Sequence, residues 1–105
     1  MSDNPLGGYI PDAFGNLMSL ESLGLRYGSL EGEIPKSFRN LSCLRLLALF
    51  DNNLTGQLYD LFQTLIASNN SLETLDLRSN KFHGSLPDFT IFSSLRELLL
   101  GSNKL

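Results

Sequence analysis

The sequence predicts an α/β solenoid of about four and a half stacked coils. Three observations carry that expectation. A ladder of the form L-x-x-L-x-L occurs four times, at Leu20/Leu23/Leu25, Leu44/Leu47/Leu49, Leu72/Leu75/Leu77 and Leu95/Leu98/Leu100. A second pattern, N-x-L-x-G-x-I-P, recurs between the ladders with small departures. Leu supplies 24 of the 105 residues, beside four Ile and no Val, so one packing role repeats along the chain.

The units follow in order. Asn4 to Pro11 spell the second pattern in full. Leu30-Glu31-Gly32-Glu33-Ile34-Pro35 repeats its last six positions, and Asn52 to Leu58 does so again with Tyr59 where Pro would fall. Asn80 to Pro87 are the fourth copy, and Asn103-Lys104-Leu105 begin a fifth. From Leu20 to Leu44 is 24 residues, from Leu44 to Leu72 is 28 and from Leu72 to Leu95 is 23. These spacings define one domain over 1–105: a partial repeat 1–16, repeats 17–40, 41–68 and 69–91, and a partial repeat 92–105, without caps.

L-x-x-L-x-L-x-x-N-x-L resembles the leucine-rich repeat, and the appended G-x-I-P with a period near 24 is similar to its plant-specific extracellular subclass. The resemblance covers essentially the whole chain and is closest to ectodomains of plant receptor-like proteins and receptor-like kinases. Polygalacturonase-inhibiting proteins share the same repeat. It implies a right-handed superhelix with a concave parallel β-sheet and a convex side of extended, 3-10 and short helical segments.

Each element has a local cause. The last two leucines of each ladder alternate as strand residues do, so Leu23/Leu25, Leu47/Leu49, Leu75/Leu77 and Leu98/Leu100 point one way. One short strand cannot bury its own apolar face; stacked coils bury all of them in a shared column. The corner after each strand falls on Asn52, Asn80 and Asn103, whose amides offer donors and an acceptor to backbone groups of the turn and the next coil. Gly28 takes that place in the second unit, where the turn is permitted but the side-chain bonds are lost. The G-x-I-P stretch is extended, because Pro disfavours a helical residue before it. Phe14 and Phe38 recur at equivalent positions and close the coil from the convex side. In the long unit, Leu58, Leu61, Phe62, Leu65 and Ile66 have the spacing of a short amphipathic helix.

The strand positions between the leucines face the concave surface. One column runs Arg26, Phe50, Arg78, Gly101, and its neighbour runs Tyr27, Asp51, Ser79, Ser102. An aromatic ring between two guanidiniums, beside a Tyr and an Asp, is a candidate peptide-recognition strip, since aromatics and Arg are enriched at binding hot spots. The competing expectation is that Arg26 and Arg78 are solvated or paired with Asp51 and Asp76. By resemblance, two Arg on neighbouring coils hold a peptide carboxylate in related receptor kinases; here Phe50 separates them by about 10 Å. The Asn40, Asn53 and Asn69 sequons are candidate N-glycosylation sites in turns or convex connections.

Other functions find little support in the sequence. Net charge is −3 with no basic block, against nucleic-acid binding. The longest apolar runs are a few residues, such as Leu98-Leu99-Leu100, against direct membrane insertion by this segment. Met1 to Pro5 lack the basic and apolar regions of a secretion signal, so an extracellular role makes the chain a piece of something longer. Cys43 and His83 are single residues of their types, in no metal-ligand or nucleophile spacing, and no cofactor is expected.

The expectation is therefore a recognition scaffold without chemistry of its own. It would belong to a plant cell-surface receptor for defence or development, at the plasma membrane's outer face or secreted. Its partners would be a peptide or protein ligand and a co-receptor kinase. The alternatives are a secreted polygalacturonase-inhibitor-like protein and a truncated product with no function.

Overall fold

A computed structural model of the chain describes residues 8–25 and 30–105. Among the described residues the strands are β1 (Gly8–Tyr9), β2 (Ser22–Gly24), β3 (Leu30–Gly32), β4 (Leu46–Ala48), β5 (Asn53–Gln57), β6 (Thr74–Asp76), β7 (Lys81–His83) and β8 (Glu97–Leu99), with one α-helix, α1 (Leu58–Leu65). They stack as a solenoid with two parallel sheets, β2-β4-β6-β8 and β1-β3-β5-β7.

The first sheet is the expected concave one. Its register follows the repeat, Leu23 beside Leu47, Leu75 and Leu98. Leu44, Leu47, Leu49, Leu72, Leu75 and Leu77 are fully buried in the middle coils. Leu95, Leu98 and Leu100, with a described coil on one side alone, are half-buried.

The second sheet is more than the extended segment expected from the sequence. Gly8 pairs with Leu30 and Thr55 with Lys81, a two-residue stagger from the repeat alignment, which would set Gly8 beside Gly32. An even shift leaves every side chain on its own face, so Leu30, Leu54 and Phe82 stay in the core.

Asn52, Asn80 and Asn103 occupy the corners between the two sheets. The amide nitrogen of Asn80 donates to the carbonyls of Leu77 (3.1 Å) and Arg78 (3.1 Å) in its own turn and of Leu49 (2.9 Å) one coil back. Its oxygen accepts from the Leu54 N–H at 3.0 Å. Asn52 does the same with Leu25 and Leu30, and Asn103 with Leu77 and Phe82. The ladder thus runs to the preceding coil, where the sequence suggested the following one. Gly28 lies outside the described residues.

The convex side is set by Pro. Pro11 and Pro35 are extended, with φ −60° and −57°, and each opens a 3-10 turn, Asp12–Asn16 or Lys36–Asn40. Tyr59 leaves Leu58 free of the clash a following Pro imposes, and α1 starts there. Leu58, Leu61, Phe62 and Leu65 are its buried face. Ile66 departs from that expected face and is 41% exposed. The chain changes at Ile66 to a 3-10 turn, Ile66–Ser68, whose tighter winding turns Ile66 outward and Ser68 inward. Ser68 Oγ, fully buried, donates to the Leu41 carbonyl (2.6 Å) and accepts from the Leu44 N–H (3.2 Å). Phe38 is buried and Phe14 half-buried, both closing their coils as expected. Phe62 meets Phe89 and Phe92 edge-on, with centroids 5.3 and 5.5 Å away.

Candidate functional site

The concave sheet presents one row of side chains per coil. Strand register places Ser22, Leu46, Thr74 and Glu97 in one column and Gly24, Ala48, Asp76 and Leu99 in the next. Along the third coil the row Leu46, Ala48, Phe50 is apolar and half-buried. The fourth coil sets Thr74, Asp76 and Arg78 beside it.

Arg78 is held in place from two sides. Its Nε and Nη2 donate to Asp76 Oδ1 (2.9 Å) and Oδ2 (2.8 Å), a bidentate pair, and its backbone N–H donates to Oδ1 as well (3.2 Å). Its Cζ lies 5.4 Å from the centroid of the Phe50 ring, within cation–π range. The Asp76 side chain is 7% exposed, although the alternation aims it outward, whereas the Arg78 side chain is 49% exposed. The pairing expected with Asp76 is present.

Asp51 and Ser79 hold the next column. Both sit in the left-handed region, φ 61° and 57°, as does Ser102 at 57°. Their N–H groups donate across coils, Asp51 to the Arg78 carbonyl and Ser79 to that of Gly101, both at 3.0 Å. Asp51 is exposed and Ser79 half-buried. Of the six expected recognition residues, Phe50, Asp51, Arg78 and Ser79 come together here; Arg26 and Tyr27 lie outside the described residues.

A charged column ahead of the strands escaped the sequence reading. Arg45 Nε donates to Glu73 (3.0 Å), and its Nη1 lies 3.7 Å from Glu21, so one guanidinium spans three coils. The Glu73 hydrogen bond and charge raise the Arg45 pKa above its ordinary value. The signal was present: Glu21, Arg45, Glu73 and Arg96 occupy one repeat position and alternate in sign.

The sequons lie away from this surface. Asn40 is exposed at the end of its 3-10 turn. Asn53 is exposed as the first residue of β5, a strand where a turn or connection was expected. Asn69 is half-buried, and the hydroxyl of its sequon Ser71 donates to the Leu44 carbonyl at 2.7 Å. Cys43 is exposed, and His83 is the last residue of β7. Among the described residues no three His, Cys, Asp or Glu are grouped to hold a metal ion, and no helix is long and apolar enough to cross a membrane.

Known proteins extend these observations. A family model described as Leucine Rich Repeat matches residues 1–17, 19–41 and 71–91. The chain is 52% identical over 103 residues to Receptor-like protein EIX1 of Solanum lycopersicum, covering 97% of this chain and 10% of that protein. It is 42% identical over 107 residues to Receptor-like protein EIX2 of the same plant, covering 100% of this chain and again 10% of the relative. The chain therefore spans about a tenth of the curated relatives it matches. Among solved structures, the Arabidopsis receptor kinase HAESA, in complex with the peptide hormone IDA and the co-receptor SERK1, superposes with a TM-score of 0.86. The identity is 31%, over 98% of this chain and 17% of that one. With more than half its residues matched and the two-sheet coil in place, the chain belongs to the leucine-rich-repeat family, in the form found in plant receptor-like proteins.

Proposed function

We propose that this chain is a segment of a plant cell-surface receptor ectodomain whose concave sheet recognises a peptide or protein. Phe50, Asp51, Arg78 and Ser79 contribute to the contact surface, together with Arg26 and Tyr27. The observation that carries this reading is the fixed Arg78: a half-exposed guanidinium clamped by Asp76 and stacked on Phe50 beside an apolar row. A side chain already held in one geometry loses little freedom on binding. The likeness to HAESA, which is solved with the peptide hormone IDA and the co-receptor SERK1, supports the same reading and a co-receptor partner. The segment acts as a scaffold without chemistry or cofactor, in defence or developmental signalling, on the extracellular face of the plasma membrane.

The test pans a phage-displayed library of twelve-residue peptides against the full-length protein that carries these repeats. Recovered peptides are then measured on Phe50→Ala and Arg78→Ala. The proposal expects at least tenfold weaker binding to both variants, the range of a hot-spot truncation. Unchanged binding to both overturns the concave reading. Direct inhibition of a fungal polygalacturonase would favour the inhibitor-like alternative.

A further inference from the structure

Away from the concave sheet, a cleft of about 290 Å³ lies between the 3-10 turn Lys36–Asn40, β5 and α1. Its floor is apolar, formed by the buried Ile34, Leu61 and Phe82. Its rim carries two carboxylates, Glu33 and Asp60, and two cations, Lys36 and Arg39. Among the described residues, none of these four forms an ion pair. Carboxylates accept hydrogen bonds alone, and Lys and Arg donate alone. A rim of balanced charge around an apolar floor matches a neutral ring with adjacent hydroxyls, each donor and acceptor at once, whose C–H face covers the floor. A ligand of strong net charge would meet its own sign on one wall.

A second observation names the occupant. Asn53, Thr55 and Gln57 alternate onto one face of β5. Thr55 and Gln57 line the cleft, and Asn53 is the exposed acceptor of the Asn53-Leu54-Thr55 sequon, about 7 Å from Thr55 along the strand. We propose that the cleft is a saccharide subsite seating the first sugars of a glycan carried on Asn53. The inference rests on the extracellular reading given above. In the modification, the Asn53 amide nitrogen bonds the anomeric carbon of a lipid-diphosphate-linked oligosaccharide. The anomeric C–O bond breaks, the lipid diphosphate leaves with the electron pair, and the amide gives up one proton. The seated glycan bridges two coils outside the recognition surface, none of whose four described residues lines the cleft.

The experiment secretes the full-length protein from plant cells with glycans kept in high-mannose form. The folded protein is treated with endoglycosidase H, and release at Asn40, Asn53 and Asn69 is followed by glycopeptide mass spectrometry. Asn53 should be occupied and released at least fivefold more slowly than Asn40, with the difference gone after denaturation. Gln57→Ala/Asp60→Ala, both exposed positions, should bring Asn53 to the Asn40 rate while the thermal melt stays in place. Rapid release at Asn53 in the folded wild type overturns the proposal, as does an empty Asn53 beside an occupied Asn40. Three empty sequons overturn the extracellular reading instead. In a second arm, free chitobiose should bind the Asn53→Gln variant and not the glycosylated wild type. Binding to both would make a soluble sugar the occupant and overturn the glycan on Asn53.

Discussion

Asn80 Oδ1 accepts the backbone N–H of Leu54, 26 residues earlier and one coil back, at 3.0 Å. The same amide donates to three carbonyls, so its removal leaves several buried backbone groups without partners. Asn80→Ala should cost about 2–4 kcal/mol in urea unfolding. Asn80→Asp should cost more, because a buried carboxylate oxygen would face those carbonyl oxygens with its negative charge unpaired. Asn103→Ala, at a half-buried corner, should cost less than Asn80→Ala. Equal losses at both corners would contradict a burial-dependent ladder.

Gly32 and Gly101 should respond in opposite directions to alanine. Gly32 has φ +80°, and an added Cβ would lie 2.5 Å from Tyr9 Cδ1. The left-handed backbone alone costs about 1–2 kcal/mol for an L side chain, and the Tyr9 ring must also swing aside. Nothing lies within 4 Å of a Cβ at Gly101. Gly101→Ala should raise stability by up to about 1 kcal/mol, through lost freedom of the unfolded chain. Paired thermal melts of the two variants check the sign.

Arg78 and Phe50 should be coupled. A double-mutant cycle with Phe50→Leu and Arg78→Met, read by urea unfolding, should give about 0.5–1 kcal/mol, the range for an exposed cation–π contact. Arg78→Ala should cost about 1–3 kcal/mol, because the nearly buried Asp76 carboxylate loses its bidentate partner. Adding Asp76→Asn to that variant should recover part of the loss.

Asp88 should give the Thr90 amide a pH dependence. Its carboxylate accepts the Thr90 N–H at 3.0 Å, and that bond lowers its pKa from the ordinary value of 3.8. Because the folded value is the lower one, the contribution is present above the unfolded pKa and fades as pH falls through the folded pKa. The Thr90 amide resonance should therefore titrate below the ordinary Asp range, and Asp88→Asn should abolish the titration. A midpoint at the ordinary value would contradict this hydrogen bond to Thr90.

What the sequence made legible follows how local each signal is. The leucine columns and Asn corners recur at fixed spacing, and the absent Pro at Tyr59 marks where the helix begins. Each depends on a few neighbouring residues. The stagger of the second sheet depends on how one coil settles on another, and an even shift leaves no trace in the alternation of buried residues. Asp76 shows the same limit at the candidate site. Its strand position aims it outward, and it is covered because Arg78 folds over it towards Phe50. Ser68 was passed over because a serine after a helix has no pattern until its coil is stacked.

The direction of the asparagine bonds also bears on how such a chain is made at the ribosome. Leu54 offers its N–H to Asn80, and Leu30 offers its own to Asn52, so each turn is sealed by a residue that emerges about one coil later. At roughly 5–20 residues per second, a newly translated coil waits on the order of a second or more for its closing residue. Along the coils closed by Asn52, Asn80 and Asn103, assembly then proceeds as a zipper, the growing end one asparagine short of closed.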